Sequence, residues 1–213
     1  MIELTFEEAR VIGSLIEKEL TTPEYYPLTV NSLMNACNQK SNREPVVSFD
    51  DKIIEAALES LRGKALARRV TGSDIRVAKY RQSFTEELNL TPQETAVICV
   101  LMLRGPQTPG EIKGRTGRMF SFESLSQVDE VLQKLIQREE PLIVKLPRQA
   151  GTKESRYAHL LCGALVNAEG EQNNINAKPN EDDRITKLES EIENLRAELN
   201  DLKDQFERFK NQF

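Results

Sequence analysis

Apolar positions along the chain first follow a helical period, then a strand-like one, and then repeat the same succession. Val11, Ile12 and Leu15 open the first helical run behind Thr5, with Glu8 three residues on. That spacing lets cap and carboxylate satisfy each other's backbone N–H groups at a helix start. Thr29 to Cys37 reads as a short helix, and Ser48 as the cap of a longer one with Ile53, Ile54, Ala57, Leu58 and Leu61 on one face. Gly63 ends it. Ala65–Val70 and Ile75–Arg81 are β-type runs joined by Thr71-Gly72-Ser73-Asp74, a hairpin signal.

The second succession starts at Leu90. Leu4 to Leu15 aligns with Leu90 to Leu101, with Leu, Thr, Glu, Val, Ile and Leu in common, and Thr91 with Glu94 repeats the cap. Pro92 occupies the first helical position, where its missing N–H costs nothing. Thr108-Pro109-Gly110-Glu111 caps the next helix, and a longer one follows with Leu125, Val128, Val131, Leu132 and Leu135 inward. Leu142–Leu146 and Ser155–Leu160 form a second hairpin around residues 147–154. Helix, helix, helix, hairpin is the order of a winged helix, a helix-turn-helix carrying a β-wing. The expected architecture is mainly α with small β-hairpins (α+β): winged-helix domains at 1–84 and 85–163.

Beyond them, residues 164–183 turn to Asn, Glu, Ala and Gly, the composition of a solvated linker. Residues 184–213 then carry a heptad seam. Ile185, Ile192, Leu199, Phe206 and Phe213 fall at a, and Leu188, Leu195, Leu202 and Phe209 at d. In a parallel pair Arg184 faces Glu189, Glu191 faces Arg196 and Glu198 faces Lys203, so the seam is complementary to itself. The expectation is a coiled coil that makes a homodimer, against a helix folded back on its own chain or paired with another protein.

Three stretches resemble the YceH family of bacterial proteins: Glu8 to Glu19; Tyr26 to Leu33 running into Ala36 to Val46; and Leu146 to Gly151 followed by Arg156 to Leu161. The likeness covers nearly all of residues 3–163. It implies a tandem winged-helix fold and supplies neither an activity nor catalytic residues.

Composition adds limits. Hydrophobic residues make up 38% of the chain, without Trp, so packed cores must rest on Leu, Ile and Val. The start carries neither a basic segment nor an apolar run, and the most apolar stretch, Ala96–Leu103, is too short to span a bilayer. Cys37, Cys99 and Cys162 are odd in number and widely spaced, which points to reduced thiols and a cytoplasmic setting. The net charge of −5 resides in residues 169–213, which hold 7 Lys+Arg against 12 Asp+Glu; residues 1–168 balance. Global charge therefore does not decide for or against nucleic acid.

Local charge narrows the chemistry. The two third helices carry Asp50, Asp51, Glu55 and Glu59, and Glu123, Asp129 and Glu130, which would meet phosphate repulsion in a groove. Cations gather instead in loops and wings: Lys40 and Arg43 in the polar run 38–43; Arg68, Arg69 and Arg76 in the first hairpin; Arg115 and Arg118 beside Gly114 and Gly117; Arg148 and Lys153 in the second. These nine are the candidate nucleic-acid contacts, touching phosphates with weak sequence selectivity. The alternative is a protein-interaction scaffold, with the wing cations there for solubility. No catalytic set, phosphate loop or metal-ligand pair is placed by spacing, so a non-enzyme without cofactor or metal is expected. The lone His159 reads as structural.

Overall fold

Six helices begin with a side chain that accepts a bond from the backbone two or three residues on. The caps are Thr5 for α1 (Phe6–Thr21), Thr29 for α2 (Val30–Cys37), Asp50 for α3 (Asp51–Gly63), Thr91 for α5 (Pro92–Arg104), Thr108 for α6 (Pro109–Thr116) and Ser124 for α7 (Leu125–Ile136). At α1, α5 and α6 the bond is reciprocated by Glu8, Glu94 and Glu111, as their spacing predicts. The cap of α3 is Asp50 rather than Ser48. The Asp50 carboxylate accepts from the Ile53 N–H at 2.9 Å, and an anion there also meets the positive end of the helix.

The computed structural model describes residues 2–70, 77–148 and 154–163. They lie in the first of two compact units, Met1–Val166; the second, Asn167–Phe213, holds the heptad segment and lies outside the described residues. The fold is mixed α+β. Among the described residues it also has a short helix α4 (Phe84–Glu87) and five strands: β1 (Leu28–Thr29), β2 (Ala67–Val70), β3 (Lys79–Gln82), β4 (Ile143–Lys145) and β5 (Tyr157–His159).

Both sheets are antiparallel. The first has the order β1-β3-β2, with Leu28 opposite Tyr80 and Arg69 opposite Tyr80 on its other side. The second pairs β4 with β5, and an isolated bridge joins Gln107 to Tyr157. Thus the residue before the cap of α6 pairs with the second hairpin, as the residue before the cap of α2 pairs with the first. Strands are shorter than the sequence runs. Ala65 sits at φ 61°, and the Leu66 N–H still bonds to Leu61 O, so the first run is spent on ending α3. Of the expected inward residues, Ile53 and Leu125 are 36% and 48% exposed. Adjacent helical positions point about 100° apart, so Ile54 takes the core and Ile53 faces away.

The centre of the unit is the pair α1 and α5. Every residue from Glu8 to Ile16 on α1 is buried, and every one from Glu94 to Leu103 on α5. A helix buried all round must be covered by several elements. Here α2 and α3 cover α1, while α6, α7 and β5 cover α5. One continuous apolar core joins the two halves, from Leu15 and Leu58 to Ile98 and Leu132.

The two helices approach closely at Gly13. The Cys99 thiol donates to Gly13 O at 3.3 Å, across 86 residues of sequence, the offset of the two aligned helix starts. A Cβ on Gly13 would lie 3.0 Å from both Cγ and Cδ2 of Leu103. Gly13→Val therefore overpacks this crossing and is expected to lose about 2–3 kcal/mol of unfolding free energy. Urea denaturation checks it, and an unchanged midpoint would show that the crossing has room to spare.

Candidate anion-binding cleft

The polar run 38–43 is a built loop. At its neck the Asn38 side chain donates to Phe49 O and accepts from Phe49 N, both at 2.8 Å. Glu44 N donates to Leu103 O at 2.8 Å, tying the loop to the end of α5. Asn42 takes φ 61°, a left-handed conformation that Asn tolerates better than most residues.

Arg43, expected at the surface, is inside this loop with none of its side chain exposed. Its Nη1 and Nη2 donate to the two Glu17 carboxylate oxygens at 3.1 and 2.6 Å, and Nε and Nη2 donate to Ala36 O. A guanidinium spent this way is a clamp between α1 and the end of α2, and no phosphate reaches it. Behind it Arg10 is also fully buried, donating to Pro45 O at 2.8 Å and lying over the Phe6 ring at 5.5 Å. Burial, and then the neighbouring Arg43, lowers the affinity of the Arg10 guanidinium for its proton.

Outside the clamp opens a cleft of about 640 Å³. Its walls are the ends of α1 and α5, the 38–43 loop, and the end of α6 with the turn after it. Among the described residues Lys18, Lys40, Arg104, Arg115 and Arg118 line it against a single carboxylate, Glu17, which Arg43 already holds; Arg115 also meets Glu111 at 3.8 Å. Arg104 donates to the Asn42 side-chain oxygen and Arg115 to the Gln107 side-chain oxygen. Burial and then the charge of Arg115 lower the Arg104 pKa, as expected where cations crowd together. Lys40 and Arg118 make no ion pair among the described residues.

The structure thus brings together three of the nine predicted cations, Lys40, Arg115 and Arg118, and adds Lys18 and Arg104. The added pair was legible: both lie in the last turn of their helix, and 86 residues separate them, the offset that aligns the two helix starts. The remaining candidates lie elsewhere. Arg68 faces Glu87 and Glu86 at 3.4 and 3.8 Å, Arg69 is exposed on β2, and Arg148 is exposed after β4. Arg76 and Lys153 lie outside the described residues, as do Ile185, Leu188, Ile192, Leu195, Leu199, Leu202, Phe206 and Phe209. Wing cations are largely internal partners: Arg81 binds Glu86 at 2.5 Å and Arg156 binds Glu111 at 2.8 Å. The exposed faces of α3 and α7 keep their acidic residues, Asp51, Glu55 and Glu59 on one and Asp129 and Glu130 on the other.

Cys37 and Cys99 are buried, and burial raises both thiols, Cys37 to about 11. Burial pushes the His159 imidazole down to about 4. No cluster of His, Cys, Asp and Glu suited to a metal occurs among the described residues, and no helix among them is long and apolar enough to cross a membrane.

Residues 4–152 match the model of a protein family of unknown function, DUF480, a span that takes in the loop, the clamp and the whole cleft. A protein of Pelobacter propionicus named UPF0502 is 50% identical over 97% of this chain and 96% of its own length. A UPF0502 protein of Solibacter usitatus is 49% identical over 99% and 98%, and one of Geobacter metallireducens 50% identical over 97% and 96%. The chain belongs to this family. The resemblance to YceH proteins and the UPF0502 relatives are one and the same kinship, a family of unknown function.

For this UPF0502 member the geometry separates the two basic residues of the loop. Arg43→Met strands the partly buried Glu17 carboxylate and the Ala36 carbonyl, and should lose about 3 kcal/mol of stability. Lys40→Ala touches no internal partner and should stay within about 0.5 kcal/mol of the parent. Equal losses for the two, read by urea denaturation, would show that Arg43 is not the clamp.

Proposed function

We propose that the chain is a non-enzymatic nucleic-acid-binding protein of two tandem winged-helix modules, dimerised by its heptad segment. Support for the modules comes from the doubled order of three helices and a hairpin, and from the matched pairings of Leu28 with Tyr80 and Gln107 with Tyr157. The observation that carries the binding proposal is the cleft's charge: among the described residues five cations line it with one carboxylate, Glu17, which Arg43 holds, and only Arg115 has a further carboxylate, Glu111, at 3.8 Å. Contact is with the phosphate backbone. Base reading by α3 and α7 is not part of the proposal, since their outer faces would repel phosphates.

A second reading, a protein-docking scaffold, is favoured by Ile53 and Leu125, large apolar residues exposed on those same acidic helices. The two readings differ in salt response and in the residues they need.

Fluorescence anisotropy with random-sequence duplex DNA tests the first. At about 50 mM salt binding should be saturable, and it should weaken by about tenfold or more on going to about 200 mM. Lys40→Ala with Arg118→Ala should weaken it by a similar factor, while Ile53→Ser should leave it unchanged. No binding at the lower salt removes the nucleic-acid reading. Sedimentation of the full chain against a form ending at Gly163 tests the heptads: a dimer and a monomer are expected, and equal states would exclude the seam as the dimer contact.

A further inference from the structure

Lys18, Arg104 and Arg115 lie in the last turns of α1, α5 and α6, where the partial negative charge of a helix end favours a cation without any ligand. Lys40 and Arg118 have no such reason. They lie just past the ends of α2 and α6, on loops, with no ion pair among the described residues, and both line the cleft. Gly114 and Gly117 are a second observation. A Cβ at either would meet nothing within 4 Å, and Gly117 has φ −51°, so neither packing nor backbone strain calls for glycine. Gly114 lies within α6, where glycine is unfavourable relative to alanine. Both glycines line the cleft, and their bare backbone leaves its floor open to close approach.

The occupant can be narrowed by what the walls offer. The cleft's volume of about 640 Å³ falls within the range of about 300–1,000 Å³ usual for small-molecule sites. Among the described residues no aromatic side chain lines it, so they offer no platform on which a strand's bases would stack. Its polar lining is dominated by donors: ammonium groups from the first half, guanidinium groups from the second, and the Ser41 hydroxyl, the Thr21 hydroxyl being spent on Glu17 O. Three guanidinium groups and two ammonium groups around one cleft suit an anion with several phosphate oxygens close together. We infer that the cleft is a receptor for one compact, phosphate-dense small molecule of the organic di- or triphosphate class, and that its occupancy displaces nucleic acid from the same cations. The inference rests on the anion-binding reading of the cleft and gives that reading a regulator.

Inorganic tripolyphosphate is the probe, added to the full-length protein and compared with sodium chloride at equal ionic strength. Calorimetry should show one saturable site per chain, and tripolyphosphate should release labelled DNA where chloride at that strength does not. Lys40→Glu with Arg118→Glu should weaken binding by about a hundredfold, through two lost charge-assisted contacts. Gly114→Ala should raise the melting temperature and still weaken binding, which a merely structural glycine would not do. DNA binding without tripolyphosphate binding or displacement overturns the inference and leaves the function standing. Tripolyphosphate binding without DNA binding overturns the nucleic-acid reading and the displacement with it, and leaves only the phosphate receptor standing. Binding of neither sinks both, and tripolyphosphate binding that survives the double charge reversal also overturns the inference.

Discussion

At Gly13 the backbone of α1 meets the Cys99 thiol of α5, and Leu103 fills the space that a side chain on Gly13 would need. That crossing lets two helices, each buried along most of its length, share one core. Everything else is arranged around it. The remaining helices cover the faces that α1 and α5 do not cover for each other, and the hairpins close the ends. Since interiors are close-packed, a change at this contact is felt by both halves at once.

The crossing also sets where the polar ends of the helices go. The last turns of α1 and α5 come together, with the ends of α2 and α6 beside them, and the cleft is what lies between. Its charge follows from two separate causes. Helix ends favour Lys18, Arg104 and Arg115 on ordinary electrostatic grounds. Among the described residues a single carboxylate lines the cleft, Glu17, and its charge is met by Arg43, itself buried in the loop that carries Lys40. A polar clamp at the base of the loop thus holds the shape of the site, while Lys40 and Arg118 keep no ion pair among the described residues and Arg115 meets Glu111 only at 3.8 Å. Buried arginines are costly to desolvate, and here backbone carbonyls and one carboxylate provide the offsetting bonds.

Away from the cleft, cations are mostly balanced by neighbours. Arg68 and Arg81 share the carboxylates of α4, Arg62 meets Glu59, and Arg156 meets Glu111. Exposed pairs of this kind add little stability, about 0–1 kcal/mol each, but they remove charge that a phosphate could otherwise meet. The contrast between paired wings and an unbalanced cleft gives the surface its direction.

The amino-acid sequence by itself determined the local structure. Thr5 with Glu8, Thr91 with Glu94 and Thr108 with Glu111 mark helix starts because the bonds they make span only three residues. The recurrence of those starts, and the facing of Ile54, Leu58, Val128 and Leu132 into the core, follow from period alone. Boundaries failed where neighbouring residues compete for one role, as with Ser48 and Asp50 at a cap, or Ile53 and Ile54 for the core. Tertiary structure alone decided which cations are usable. Arg43 and Lys40 stand three residues apart in one polar run, yet one is a buried clamp and the other an exposed cation. What separates them is Glu17, 26 residues earlier in the chain, and a charge is fixed by the partners that folding brings to it rather than by its neighbours in sequence.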